Sequence, residues 1–547
     1  MRTKKLFYLF FLILLLTEYS GISQNQTSFS RQDSLRGTLN SFRSCYDVTF
    51  YDLFLQVNPE NKTISGSNTI YFTIIKASET LQFDLFENLI IDSVSQAGKR
   101  IDFKREGNAF FVYPEYKSVS NGKSQIKISY HGKPTEAVKP PWDGGFVWRQ
   151  DSLGNPWVGT ACEGMGASSW WPLKDHLSDE PDSMHMTFEV PTGLFCVSNG
   201  ILRDTQRLRN GYTRFRWKVT HPINSYNVTF NLGKYTLIRD TFLNETGIHK
   251  MNYYVLNNPI NESKIHFKEE VFKMLKAFEH YFGPYPFWSD EYTLVETSYW
   301  GMEHQNAIAY GNHLKQNIWK FDYIIVHESG HEWWGNSISV GDHAEMWVHE
   351  SFTTYAEALY MEYYYGFKKA CSYLNTQKML IANKSPILGP LGVNFQDWED
   401  SDKYYKGAWM LHSLRNMVDN DTVWFKTLRT TCDTFKEKIV TSEDIIEYFC
   451  IKTNTNLNPV FSHYLTKTQL PCLEYSIKKD NKNITLSYRW KETEKDFNMP
   501  FGFSYGSQDY RFQPTQKWQK MVLPIDTDSE IEFRKDLFLV KVKDKNG

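Results

Sequence analysis

From residue 46 onward the chain alternates apolar and polar positions. The run DLFLQVNPENKTISGSNTIYFTI places side chains on opposite faces in turn, on either side of an N-P-E-N turn, a period of two that predicts strands. Similar runs, punctuated by Gly, Asn and Pro, continue to about residue 238 and predict an antiparallel β domain over residues 40–238. The period then changes. Residues 263–281, SKIHFKEEVFKMLKAFEHY, repeat apolar positions at steps of three and four, a helix that Phe282-Gly283-Pro284 ends. A strand is predicted at 292–296, and helices dominate from there to about residue 470. Beyond Pro471 the alternation returns in ITLSYRW, behind the turn Asp480-Asn481-Lys482-Asn483, with further strands at 501–505, 519–525 and 537–542. The expected architecture is multidomain α+β: the β domain, a mainly helical domain over 239–471, and a small C-terminal β-sandwich over 472–547.

Composition narrows the function. The chain has 547 residues, 41% hydrophobic and 23% charged, so each domain can bury its own core. A formal net charge of -2, without a polybasic run, argues against a nucleic-acid partner. At the N-terminus Arg2, Lys4 and Lys5 precede an apolar run at residues 6–16, and small polar residues follow. That pattern predicts a signal peptide over residues 1–23 and an exported protein, periplasmic or secreted, with an uncleaved anchor as the alternative. No later run is long and apolar enough to span a membrane. Seven cysteines are scattered without a C-x-x-C pair, so a zinc site built on sulfur is not suggested and disulfide connectivity stays open.

The chemistry is concentrated in VHESGHEWWGNSISVGDHAEMWVHESFTTYAEA, residues 326–358. On a helix His327 and His331, four apart, project from one face and can share one Zn²⁺. Glu328 sits beside the first histidine, where its carboxylate reaches water on the metal without ligating it. A catalytic zinc takes three protein ligands and keeps one position open. Nineteen residues after His331, with eighteen between, comes Glu350, on a predicted second helix, as the third ligand; His343 and His349 are the rivals. The flanks Ile324-Ile325-Val326 and Trp333-Trp334-Gly335 are apolar, so the histidines are buried and need a common partner. Glu357, two turns beyond Glu350, is either a partner that holds a ligating histidine or a helix-surface carboxylate.

With these residues in place the chain resembles the aminopeptidase N family of zinc metallopeptidases, which also contains leukotriene hydrolase. The family spacing, H-E-x-x-H followed after eighteen residues by Glu, is met by His327, Glu328, His331 and Glu350. Four more segments agree in order: Ser168-Ser169-Trp170-Trp171-Pro172 to Asp179-Glu180-Pro181, Val197-Ser198-Asn199-Gly200, Trp300-Gly301-Met302-Glu303-His304, and Tyr404-Tyr405-Lys406-Gly407-Ala408. The resemblance implies a thermolysin-like catalytic domain and one Zn²⁺ per chain on His327, His331 and Glu350. It implies that Glu328 takes a proton from zinc-bound water and that the Tyr404 hydroxyl donates to the developing oxyanion. Glu303, with Glu163, would bind the free α-ammonium of a peptide. The implied activity is a zinc aminopeptidase that removes N-terminal residues from peptides; a zinc endopeptidase, an epoxide hydrolase and a non-catalytic peptide-binding protein on the same scaffold are the alternatives.

Two positions depart from the family pattern. Trp300 stands where the family has glycine and His304 where it has asparagine, so Trp300 is expected to alter the approach of substrate and His304 to bring pH sensitivity. The family's large C-terminal helical domain has no counterpart in the pattern after residue 471.

Overall fold

In the computed structural model, which describes residues 29–114, 122–395, 398–526 and 529–545, the first alternating run forms the strand Tyr46–Asn58. The segment read as a signal peptide lies outside the described residues. Tyr46–Asn58 pairs antiparallel with Thr63–Ile74 and stands in the middle of an eight-stranded sheet. Leu53, Leu55 and Val57 point to one face, where Ile70, Phe72, Met184, Met186 and Phe188 join them in the core. Among the described residues, one of the domain's strand pairs departs from antiparallel order: Tyr46–Asn58 lies parallel to Ser183–Pro191, with Phe50 opposite Ser183. A parallel pair needs a long crossover, and the chain between these strands carries most of the domain's other strands. Among them are Gly145–Gln150 and Pro156–Ala161 of a four-stranded sheet, which together bring residue 163 toward the helical part of the molecule.

A five-stranded sheet opens the next part, running Thr236–Asn244, Gly247–Val255, Tyr292–Glu296, Ile308–Tyr310 and the edge strand Gly301–Met302. The periodic helix spans Ile260–Phe282 and ends at Gly283, whose φ of 92° is open to glycine. Two largely buried helices follow, Tyr323–Gly330 and Trp347–Tyr365, the second buried on every side up to Met361 and exposed only in its last turn. The first begins on an Asp322 side chain that accepts from the amide of Ile324 at 3.2 Å. Gly330 lets the second helix approach, since a Cβ there would stand 3.0 Å from the Thr353 methyl. Among the described residues no helix is long and apolar enough to cross a membrane.

The C-terminal residues form two facing sheets. One contains Cys472–Lys479, Asn483–Lys491, Gln519–Pro524 and Lys541–Asp544; the other contains Phe501–Tyr505, Gln508–Phe512 and Glu532–Phe533. The strand expected over 537–542 lies later, at Lys541–Asp544. The residues before it are drawn onto the helices instead: the Leu539 amide donates to Ser413 Oγ at 3.0 Å and the Tyr464 hydroxyl donates to the Leu539 carbonyl at 2.6 Å. All seven cysteines are unpaired, six of them buried in separate places.

The segment ahead of the first strand locks the β domain to the cleft. Arg43 is wholly buried and pairs with Asp84, whose carboxylate also accepts from the Asp175 amide at 3.1 Å and from Gln82 Nε2 at 3.2 Å. The Arg43 guanidinium donates to the carbonyl of Arg36, and Arg36 Nη2 donates to the carbonyl of Gly164 at 2.9 Å, beside Glu163. Removing one member of a buried pair leaves the other charge without compensation. Arg43→Met is therefore expected to cost about 3–5 kcal/mol in chemical denaturation. A loss below about 1 kcal/mol would show that Asp84 is satisfied by its amide donors alone.

Candidate metal centre and peptide cleft

His327 lies inside the helix Tyr323–Gly330, and His331 caps it with helical dihedrals (φ −64°, ψ −20°), so the four-residue spacing keeps both imidazoles on one side. The helix Trp347–Tyr365 brings Glu350 against them. Glu350 Oε2 stands 3.8 Å from His327 Nε2 and 3.5 Å from His331 Nε2. Ligands about 2.0–2.1 Å from a tetrahedral zinc are about 3.4 Å from each other, so the three atoms match a zinc triad. Glu350 Oε2 is buried and has no hydrogen-bond donor, an orphan acceptor aimed at the point the two nitrogens share. The residues fit the ion.

The other ring nitrogens are fixed. His327 Nδ1 bonds Glu357 Oε1 at 2.7 Å, and His331 Nδ1 bonds the Trp334 carbonyl at 3.0 Å. These bonds turn both Nε2 atoms toward Glu350. Glu357 is thus a buried histidine holder and not a surface carboxylate. Its second oxygen is held by the Tyr373 hydroxyl and by Gln377 Nε2. Neither rival for the third ligand is used in this way: His349, beside Glu350, turns Nδ1 to within 3.5 Å of the Tyr226 hydroxyl, and His343 borders a different, smaller cavity.

Charge crowds this place. Burial is the largest influence on Glu328 and on Glu350, and it pushes each up to about 7. Burial pulls His327 down, but the bond and charge of Glu357, with Glu328 and Glu350, outweigh it and carry the imidazole up to about 9. A divalent cation at the shared point reverses this balance, drawing the imidazole to its neutral form and Glu350 to its anion. A second cluster, Glu303, Glu328 and His331, also draws its ligand atoms within 4.8 Å, but it shares His331 and lacks a second imidazole. The two-histidine, one-carboxylate set is the better zinc site.

The cleft beside the triad has a volume of about 650 Å³, and Glu163, Glu303, Glu328, Tyr404 and Trp300 line it. Glu303, on the chain leaving the edge strand, is buried, and Tyr226 donates to its Oε1 at 3.1 Å. Burial raises the Glu303 carboxyl well above the usual range, with Glu163, Glu328 and Glu350 adding to the effect. The Tyr404 hydroxyl lies against Glu350, and its ring stacks 6.2 Å from that of His327. The sequence-predicted residues His327, Glu328, His331, Glu350, Glu357, Tyr404, Glu303 and Glu163 are therefore gathered around one cleft.

Several residues of this place carry no sequence signal of their own. Asn336 Nδ2 donates to the Glu303 carbonyl at 2.9 Å and to Glu332 Oε1 at 3.3 Å, joining the edge strand to the helix of the histidines. Asn199, in the turn matched above, donates to the Gln305 carbonyl at 2.6 Å, and Ser339 donates to Glu180 at 2.6 Å. Two of the quoted segments thus tie the β domain to the catalytic layer. Tyr226 and Tyr323 are two tyrosines among 33, and only their placement distinguishes them.

The two departures come out differently. Trp300 is 46% exposed in the cleft and stacks on Tyr323, ring centres 5.5 Å apart, which in turn stacks on His327 at 5.3 Å. His304 is buried with neither ring nitrogen bonded, and burial lowers it to about 3. It stays neutral across the neutral range and does not bring the pH sensitivity expected of it.

Comparison with known proteins agrees with this geometry. The Peptidase M1 N-terminal domain matches residues 48–227, and the Peptidase family M1 domain matches residues 267–464. Aminopeptidase N of Lactobacillus helveticus is 23% identical over 513 residues, covering 85% of this chain and 55% of its own length. Aminopeptidase B of Mus musculus is 25% identical over 275 residues, covering 48% of this chain and 41% of its own length. This chain spans about half the length of the curated relatives it matches. Among solved structures, an M1 zinc metallopeptidase mutant from Deinococcus radiodurans, bound to a Tyr-Ser-Ala substrate, shares the fold with a TM-score of 0.67 at 20% identity. The match covers 78% of this chain and 96% of that one.

If Glu357 holds His327 for the metal, Glu357→Ala should weaken zinc about 10–100-fold in competition with a chelator. Tyr373→Phe, which removes one bond to Glu357, should weaken it less. Equal zinc affinity in Glu357→Ala would show that packing alone orients the imidazole.

Proposed function

Because the chain belongs to peptidase family M1, we propose that it is a zinc aminopeptidase that removes single residues from the free N-termini of peptides. The observation that carries this reading is the carboxylate pair beside the triad. Glu303 is buried and bonded by Tyr226, and Glu163 lines the same cleft close enough to bear on its charge. Such crowded carboxylates are relieved by an ammonium, and they stand at a fixed distance from the metal position. A peptide that gives its α-ammonium to Glu303 and Glu163 presents its first carbonyl to the triad. A blocked or internal residue loses that charge-assisted contact, which favours an exopeptidase over an endopeptidase.

Zinc on His327, His331 and Glu350 supplies Lewis-acid polarisation and lowers the pKa of water. Glu328, raised by burial toward neutral pH, is suited to take a proton from the attacking water and return it to the leaving amine. The Tyr404 hydroxyl, which burial, the largest influence, keeps protonated, donates to the oxygen that gains charge. Trp300 and Tyr323 form a stacked aromatic wall of the cleft beside His327. The basic-then-apolar pattern of residues 2–16 supports export, to a periplasm or the exterior, as the setting.

Zinc-loaded protein is expected to trim free peptides and to leave their N-acetylated forms intact. Glu328→Ala should hold zinc yet lose about 10²–10⁴ in turnover, and Tyr404→Phe about 10² or more. Cleavage of acetylated peptides at a comparable rate would replace this reading with an endopeptidase, and a zinc-loaded but inert wild type would replace it with a binding protein.

A further inference from the structure

The cleft is uneven in charge. Four carboxylates, Glu163, Glu303, Glu328 and Glu350, line it together with two lysines, Lys315 and Lys403. Lys315 is exposed, whereas Lys403 is half-buried and immediately precedes Tyr404. The Lys403 ammonium lies 4.5 Å from the centre of the Trp398 ring and 5.4 Å from that of Tyr404. Its backbone is fixed to the metal helix, since Ser351, next to Glu350, donates to the Lys403 carbonyl at 2.7 Å.

Among the described residues no carboxylate pairs with this ammonium. The acids nearest in sequence are turned away from it. Asp402 accepts from the amides of Ala382 and Asn383 at 2.8 Å each, and Asp400 from the Lys384 amide at 2.8 Å. Other sheltered cations in this protein have a fixed acceptor: Lys174 pairs with Asp179, Arg415 with both Glu362 and Asp421, and buried Lys406 donates to the Lys467 carbonyl at 2.7 Å. Balancing the charge of Glu350 accounts for a cation in this region, but not for one left open to the cleft between two aromatic rings.

We propose that Lys403 is a carboxylate anchor: its ammonium receives a carboxylate of the bound peptide, while the acidic pair receives the α-ammonium. This rests on the aminopeptidase reading. Carboxylate and ammonium then hold the two ends of one short segment, so the preferred substrates are peptides with an acidic group close to the N-terminus. That group is either the terminal carboxylate of a di- or tripeptide or an acidic side chain, and the chemistry at Lys403 is the same for both.

The test measures binding in zinc-loaded Glu328→Gln protein, which holds peptides uncut. Kd is compared for Leu-Ala-Ala as free acid and as amide, for Leu-Glu-Ala-amide against Leu-Gln-Ala-amide, and for Glu-Leu-Ala-amide against Gln-Leu-Ala-amide. At least one pair should favour the carboxylate by about three- to tenfold. That preference should fall to about one in Lys403→Gln and persist in Lys403→Arg, which also guards against a misfolded variant. A preference confined to the first pair identifies the terminal carboxylate, and one confined to the others an acidic side chain. The proposal is overturned if no pair discriminates, or if discrimination survives Lys403→Gln. Turnover of the amides with free and acetylated N-termini, by protein that keeps Glu328, reports separately on the aminopeptidase reading, because Kd does not require turnover.

Discussion

Everything in the catalytic layer depends on one unmet need: a buried carboxylate oxygen, Glu350 Oε2, with no donor, facing two imidazole nitrogens 3.5 and 3.8 Å away. Apolar helices force these groups out of water, where an uncompensated charge is costly. A dication at the shared point satisfies all three at once. The surrounding bonds make sense on that basis: Glu357 and the Trp334 carbonyl hold the far sides of the rings, and Tyr373 and Gln377 hold Glu357. Gly330 and Thr353 set how closely the two helices approach.

The cleft is a joint product of two layers. The β domain contributes Glu163, Tyr226 and Asn199, which tethers Gln305, while the helical part contributes the triad, Glu328, Tyr404 and Asn336, which tethers Glu303. The chain around Arg43 and Arg36 braces the Glu163 loop, so a structural ion pair remote from the triad bears on where the Glu163 carboxylate stands in the cleft. The C-terminal sandwich acts at a distance too, pressing Leu539 against the helix Tyr405–Val418 that follows Tyr404.

Local periodicity and fixed spacing made some of this legible in the sequence. The i, i+4 histidines and the glutamate beside them were readable because helix geometry alone puts them together, and Glu350 because a zinc on two histidines needs a third ligand from a neighbouring element. The alternating runs located the β domain and the sandwich for the same reason. Glu303, Glu163 and Tyr404 were readable only through family resemblance, since their meaning comes from long-range packing that no local period records. Tyr226, Asn336 and Lys403 carried no signal at all: each matters through a partner far away in sequence, or through lacking one. The parallel junction at Tyr46–Asn58 and the delayed strand at Lys541–Asp544 were missed because tertiary contacts, not local pattern, decide them. His304 misled because its chemistry depends on burial, which its sequence position did not reveal.

The most direct test of the central claim is a metal titration of chelator-stripped protein, followed by hydrolysis of one peptide with a free and with an acetylated N-terminus. The account predicts no activity without metal, recovery that saturates at one zinc per chain, and cleavage of the free peptide alone. Recovery at a different stoichiometry, activity in the stripped protein, or equal cleavage of both peptides would contradict it.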